Sequence, residues 1–518
     1  MTETGVAGRR RRGRERGAGA NRSRLPDQRP FAQPRMRYQP TEVVSADELE
    51  SIHQASLRIL AEIGMNFLDQ EARELLAAAG ADVEPGAERV RFDPAMITER
   101  ICTCPSEFLL HSWNPAHTLT IGGDHLAFGS VGSPPNIVGL DGVRRPGDRE
   151  AFRDLLKLCQ TFNCVHFIGG YPVEPIDLHW SVRHLEAALD VLTFTDKVPH
   201  SYSLGRQRNR DVLEMTRIAR QVDEETLQRE PSVFTVVNSS SPLRLDAPML
   251  QGIIEFSSRN QVVVMTPFTL SGAMAPVTLA GAVAQQNAEA LAGMAFTQVV
   301  RPGAPVIYGG FTSNVDMQSG APAFGTPEYV RTAMLGGQLA RRYAVPYRSS
   351  NVSAANALDA QAAYESVFSL WGAIMGGVNF LMHGAGWMEG GLHASAAKLV
   401  LDADLLGMVE AFLDPIVVDE DTLAVDAIRE VGPGGHFFGV AHTQARFRTA
   451  FHRPMISDWR NYETWAEAGR PESAARAAQL AGAFLDAYEP PAMEAAVREE
   501  LDTFVARRVA DGGVPTDF

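Results

Sequence analysis

Lysine is nearly missing from this chain: three of its 47 basic side chains, Lys157, Lys197 and Lys398, are lysines, so Schiff-base chemistry has few candidates. Cysteine is as scarce. The four thiols fall at Cys102-x-Cys104 and Cys159-x4-Cys164, neither at the Cys-x2-Cys spacing of a thiolate metal site, and they are expected to be buried and inert in a reducing compartment. No run of 18 or more apolar residues occurs, so a spanning helix is not expected and a cytoplasmic location is. Net positive charge is confined to one end. The first 37 residues carry eleven Arg against Glu3, Glu15 and Asp27, a net +8, which leaves −23 on the rest of a chain whose total is −15. An acidic body repels nucleic acid, and no nucleic-acid or membrane partner is expected. The Arg-rich segment 1–37 has too few apolar residues to build a core and lacks the apolar run of an export signal; it reads as a disordered tail.

What the chain does have is a strand-like segment recurring through 127–383, each followed by a helical pattern. The segments are 127–131, 165–170, 199–204, 233–239, 262–268, 305–310, 345–350 and 378–383, and amphipathic stretches such as 148–161, 246–258, 276–300, 327–343 and 359–376 lie between them. Eight such units predict an α/β fold of the (β/α)8 TIM-barrel type over 126–415, with chemistry at the carboxyl ends of the strands. A capping-box start at Ser45 and three short strands predict a small α+β cap over 38–125, and 416–518 reads as a helical extension. Lys197 precedes the third strand, at the end away from the chemistry.

At or just beyond the predicted strand ends stand Tyr171, Tyr202, Asn238, Phe268, Tyr308, Phe311, Asp316, Arg348, His383, Trp387 and Glu389. Metal chemistry would require His or carboxylates from several strand ends; here only His383 and one of Asp316 or Glu389 qualify, so no metal site is expected. Rings with one or two acids suit a quaternary ammonium ion, which has no N–H to donate and is held by ring faces. Arg348 can grip a carboxylate with its planar fork. Two other readings of the same rim are a betaine-binding protein without turnover and a lyase moving a proton between His383 and Tyr308. His436, His442 and His452 flank Gly-rich turns at irregular spacing and read as loop-stabilising.

Four separated motifs then stand in order: Asn287-Ala-Glu-Ala-Leu-Ala-Gly293, Pro305-Val-Ile-Tyr-Gly309, Asp316-Met-Gln-Ser-Gly-Ala-Pro322 with Gly325-Thr-Pro-Glu328, and Asp359-Ala-Gln-Ala-Ala-Tyr-Glu365. From about Ser45 to near the C-terminus the chain resembles the trimethylamine methyltransferase family. The resemblance implies a barrel that moves a methyl group from a methylated amine to the cobalt of a separate corrinoid (cobalamin) protein. The founding branch carries pyrrolysine, which aligns with Gln361 here. An ordinary Gln implies a substrate whose nitrogen already bears four bonds, because only such a nitrogen leaves as a neutral amine without further activation. Glycine betaine, giving dimethylglycine, is the first choice; proline betaine, carnitine and choline are the alternatives. Gln361, Tyr364 and His383 are the expected catalytic residues, with the rim residues named above binding substrate. The expected partners are a corrinoid protein and a small quaternary amine, and self-association is expected.

Overall fold

The computed structural model describes residues 25–514. Its centre is a parallel sheet of six strands: β1 (Ala127–Ser130), β2 (Phe234–Val237), β3 (Val262–Met265), β4 (Val306–Gly309), β5 (Tyr347–Ser350) and β6 (Phe380–Ala385), in the order β1-β6-β5-β4-β3-β2. The edges β1 and β2 are connected through single parallel bridges: Gly129 to Phe167, Phe167 to Val198, and His200 to Phe234. Thus two of the predicted strands, 165–170 and 199–204, appear as extended segments joined by single bridges.

Eight helices follow the eight segments: α1 (Arg149–Thr161), α2 (Arg183–Phe194), α3 (Arg206–Arg220), α4 (Ala247–Ser258), α5 (Leu279–Val300), α6 (Pro327–Arg342), α7 (Ala360–Met375) and α8 (Ala396–Leu413). Their starts are written in the sequence: Asp148, Thr326, Asp359 and Ser395 each accept a backbone N–H of the first turn, and Pro327 opens α6 where a missing N–H costs nothing.

The strands alternate. Ala127, Phe167, Val198, Phe234, Val262, Val264, Ile307, Phe380 and Met382 form one apolar cluster on the inner face, in which Phe167 stacks on Phe380 with ring centroids 3.9 Å apart. Their neighbours Val263, Met265, Val306, Tyr308 and Leu381 pack outward against the helices. The hairpin Glu107–Leu110/Leu119–Gly122 closes the amino-terminal end with Leu110, Leu119 and Ile121.

Two segments depart from expectation. Residues 25–37, assigned to the tail by composition, lie against this floor: Gln28 donates to Thr161 O at 3.1 Å, Gln33 to Thr120 O at 2.9 Å, and Phe31 packs 4.1 Å from the His117 ring. Polar side chains that satisfy otherwise open carbonyls order a segment whose hydrophobicity alone would not. The rest of the predicted tail, 1–24, lies outside the described residues. The N-terminal strand Met65–Phe67 also pairs with Arg244-Leu245, beyond β2, so the cap is stitched into the main body. No helix among the described residues is long and apolar enough to cross a membrane.

Candidate active site

Above the aromatic layer the inner face turns polar. Arg348 follows Tyr347 on β5, so period-2 alternation that sends Tyr347 outward to Ala333 O turns Arg348 inward. Its neighbour in register on β4 is Gly309. A Cβ there would lie 2.5 Å from Thr266 Oγ1, 2.7 Å from Met265 O and 3.2 Å from Arg348 Cδ, so only glycine lets the arginine cross the face at this height. The guanidinium lies over the Phe311 ring, 5.3 Å from its centroid, and its one hydrogen bond runs from NH1 to Gly310 O at 3.4 Å. Its Nε has no partner, and no carboxylate among the described residues pairs with it. Burial pulls its pKa down to about 10.

His383 sits at a bulge of β6 with φ +54°, a strained conformation for a non-glycine residue, and its ring stacks on Trp387 at 5.4 Å. Nδ1 lies 3.2 Å from Ser350 Oγ, and burial, with the Arg348 charge, drives its pKa well below the ordinary value, so the ring is neutral. The bulge is held from behind. Gly386 N donates to Asp402 at 2.8 Å, and Asp402 pairs with Lys398 at 2.5 Å, both wholly buried, with Ser366 Oγ as a further partner of the ammonium.

Phe311 gathers Phe268, Phe324, Trp387 and His383 at centroid distances of 5.2–6.1 Å. Across the inner face, the Tyr171 and Tyr202 rings meet edge-on at 4.6 Å, with Tyr202 Oη accepting from Tyr171 N and bonded to Ser133 Oγ. His200 packs against Tyr202 and Phe234, and neither ring nitrogen has a partner. Thr266 Oγ1, Gln286 Nε2 and Asn351 Oδ1 complete a set of buried polar atoms left open at this end.

The predicted residues therefore divide. Phe268, Phe311, Arg348, His383 and Trp387 form one cluster, with Tyr171 and Tyr202 as a second. The others lie apart. Tyr308 points outward, its Oη donating to Asn287 at 3.0 Å, because Ile307 and Gly309 hold the inward positions; it cannot pair with His383 for proton transfer. Asp316 is exposed at a hairpin tip, accepting from Ser319 Oγ and from Gln318 N and Ser319 N, and these bonds, the hydroxyl's first, hold its carboxyl below the usual range. Asn238 is exposed beyond β2. Glu389 is spent on Arg144 at 2.9 Å and His393 at 2.8 Å. Gln361 lies on the first turn of α7 and donates to Glu365 at 2.8 Å, while Tyr364 points to solvent at 60% exposure, since its helical position faces away from the sheet.

Sequence reading missed His200, although it alternates with inward Val198 and Tyr202. It also missed the buried carboxylate Glu289, and it placed Glu365 in the packing between sheet and helix without seeing that both acids shape the loops. Glu289 accepts from Ser239, Ser241 (2.5 Å), Leu243 N (2.9 Å) and Gln285 (2.9 Å), and Glu365 accepts from Ser353 (2.8 Å), Ala354 N (2.8 Å) and Ala355 N (3.1 Å). Gly325, at φ +68°, fits against Glu365, where a Cβ would come within 2.5 Å. The motifs ending at Glu328 and Glu365 thus meet in space. No group of three or more His, Cys, Asp or Glu among the described residues could hold a metal ion.

Comparison with known proteins agrees with the motifs. The chain is 33% identical over 472 residues to the glycine betaine methyltransferase of Desulfitobacterium hafniense strain Y51, covering 91% of this chain and 98% of that one. It is 28% identical to a trimethylamine methyltransferase of D. hafniense strain DSM 10664, over 91% and 94% of the two chains. A solved monomethylamine methyltransferase from Methanosarcina barkeri aligns with TM-score 0.49 and 12% identity over 88% and 89%. With the match to the family running from residue 9 to 513, this chain belongs to the trimethylamine methyltransferase (MTTB) family.

Proposed function

We propose that the bridged segments complete a closed (β/α)8 barrel, and that its carboxyl-end cluster transfers a methyl group from glycine betaine to the Co(I) of a corrinoid protein, releasing dimethylglycine. The observation that carries the reading is Arg348, a wholly buried cation with an open Nε and no acidic partner. A buried charge of this kind is costly unless something pairs with it, and a betaine carboxylate of matching shape supplies that partner.

In this reading Arg348 fixes the carboxylate end of the substrate. The rings of Phe311, Trp387, Tyr171 and Tyr202 provide the apolar, electron-rich walls that suit a methylated ammonium head. Neutral His383 adds a wall without competing positive charge. Methyl transfer is an in-line displacement: the C–N electron pair stays on nitrogen, which leaves as a neutral tertiary amine, and the electron pair of the cobalt acceptor forms the new bond to carbon. No proton moves in this step, which accords with a site lacking an assembled acid–base pair. The protein contributes by orienting the substrate and excluding water. Gln361 stands at the pyrrolysine-equivalent position on the rim, where it holds Glu365 and carries no electrophile.

The test is formation of methylcobalamin, followed by its absorbance, when the protein is mixed with Co(I) cobalamin and either glycine betaine or trimethylamine. Betaine is expected to react and trimethylamine to be inert; turnover of trimethylamine with betaine inert would overturn the assignment.

A further inference from the structure

We infer that His200 is the second donor to the substrate's carboxylate, its ring N–H reaching the anion from the wall opposite Arg348. The inference rests on the closed barrel and the betaine substrate proposed above. Inward side chains of a (β/α)8 barrel stack in layers of four, each layer drawn from alternate strands. With the registers and bridges of this sheet, Phe167, Phe234, Ile307 and Phe380, from the even-numbered segments, make one layer. The odd-numbered segments supply the next one: Gly129, His200, Val264 and Arg348. Bulky branched side chains ordinarily fill such a layer, and here only Val264 is one. Gly129 yields its place to the Phe167 ring, which a Cβ there would strike. The remaining members are an imidazole and a guanidinium, on the third and the seventh segments, halfway round the barrel from each other.

Neither is spent on the protein. Arg348 leans over Phe311 with an open Nε and one long bond, to Gly310 O at 3.4 Å. His200 is held by rings alone, edge-on to Tyr202 at 4.5 Å and tilted against Phe234 at 5.0 Å, and both its nitrogens are buried without a partner. Beyond burial, Arg348 and His200 both lower the pKa of His383, so the two side chains reach the same part of the interior. Burial brings the pKa of His200 itself down to about 3, which leaves a neutral ring with one N–H and one bare nitrogen.

The chemistry of the substrate names the acceptor. A quaternary ammonium has neither an N–H nor a lone pair, so within a betaine only the carboxylate oxygens can accept from the imidazole. A carboxylate has more acceptor sites than the open Nε of Arg348 fills, and in a dry site those left over need a donor. A neutral imidazole supplies it without placing a second positive charge near the ammonium head. The layer order then orients the substrate. Tyr202 is two residues further along the same segment, one inward position nearer the mouth, so a carboxylate held between His200 and Arg348 sets the ammonium against the tyrosine wall, with its methyl groups toward the opening.

Binding calorimetry on the full chain tests this with glycine betaine and with choline, which carries the same trimethylammonium head without a carboxylate. His200→Phe keeps a ring against Tyr202 and removes the donor; it is expected to raise the betaine Kd roughly 10- to 100-fold, as for a lost hydrogen bond to a charged group, and to change choline binding less than about threefold. His200→Gln restores an N–H and is expected to recover most of the loss. A His200→Phe variant that binds betaine as the wild type does, one that weakens betaine and choline alike, or a His200→Gln variant no better than His200→Phe would each overturn the inference. Should the variants misfold, or choline bind too weakly to measure, a crystal structure of the wild type with glycine betaine decides: a ring nitrogen of His200 about 3 Å from a carboxylate oxygen supports the contact, and a separation beyond about 4 Å overturns it. A wild type that neither binds betaine nor forms methylcobalamin from it would overturn the proposed function and this inference together, whereas a wild type that does both, with His200→Phe unimpaired, would overturn the inference alone.

Discussion

His166 and His200 are both buried, and burial drives both to a pKa of about 3, but they live at opposite ends of the sheet. At the floor, His166 uses both nitrogens: Nδ1 accepts from Phe128 N at 2.9 Å, which leaves Nε2 as the donor to Ala32 O at 3.1 Å. At the mouth, His200 uses neither. The same contrast holds for cations. Lys197 at the floor donates to Cys159 O and Phe162 O at 2.5 and 2.7 Å, capping the C-terminus of α1, whereas Arg348 at the mouth has an open Nε and one long bond. A fold has every reason to satisfy buried polar groups. His125 Nδ1 is left open at the floor too, but His200 and Arg348 are open where Thr266, Gln286 and Asn351 are also open, and that concentration of unpaired groups at the mouth suits something that binds.

The largest effect expected from breaking this contrast comes at Asp402. Asp402→Ala strands the Lys398 ammonium without its ion partner and frees Gly386 N, behind the His383 bulge. Removing one partner of a wholly buried pair costs about 3–5 kcal/mol. Thermal or urea unfolding should show the loss, together with weakened betaine binding; a change under about 1 kcal/mol would mean that the bulge is held by other contacts.

Next come the two unlike cations, compared through one substitution. Arg348→Met removes an unpaired buried charge, so Tm should stay level or rise while betaine affinity falls by about 2–4 kcal/mol, roughly 30- to 1,000-fold in Kd. Lys197→Met orphans two carbonyls at the end of α1 and should lower stability by about 1–3 kcal/mol with betaine binding per folded molecule unchanged. Calorimetry of binding and of unfolding on both variants distinguishes them. Destabilisation by Arg348→Met with affinity intact would make Arg348 a structural residue and remove the main support for a bound carboxylate.

Much of this architecture was legible because it follows local rules. Helix starts at Asp148, Thr326, Asp359 and Ser395 are capping chemistry, and β1, β2, β4, β5 and β6 fall within two residues of their hydrophobic runs, while β3 ends three residues early. Arg348, Phe311, His383 and Trp387 were legible because each stands in or just past the carboxyl-terminal half of a predicted strand. Tyr308 failed because position near a strand end was weighed without the alternation that turns it toward Asn287. Asp316 and Glu389 failed because acids near a mouth can be consumed by a turn or by Arg144. Glu289 and the Asp402–Lys398 pair could not have been found by strand-end position, since they sit on helices and act through the loops above them. The order in residues 25–37 was hidden because hydrogen bonds to floor carbonyls leave no hydrophobic signature.

The smallest expected effect compares two carboxyls placed like the two histidines. At the floor, burial raises the pKa of Asp196, but hydrogen bonds from His117, Asn114 and Gln160 outweigh it and bring it down to about 2. At the mouth, Glu174 has Arg183 at 3.9 Å and little else, and burial pushes its pKa up to about 7 from 4.5. The two should slope stability in opposite directions. Asp196 favours folding above its ordinary 3.8, and that contribution is lost as pH falls toward about 2. Glu174 is protonated in both states below about 4.5; between there and about 7 only the unfolded chain releases the proton, so stability falls as pH rises and levels off above. The drop should be on the order of 2 kcal/mol, less than the full shift implies because the group keeps some water and a distant arginine. Urea unfolding of wild type and Glu174→Gln from pH 2 to 8 checks this: the amide variant should lack the fall between about 4.5 and 7 while retaining the loss below 3.8 due to Asp196. Parallel curves for the two proteins would mean that Glu174 is ionised at the mouth like any exposed acid, and that the open end of the sheet is wetter than its unpaired atoms imply.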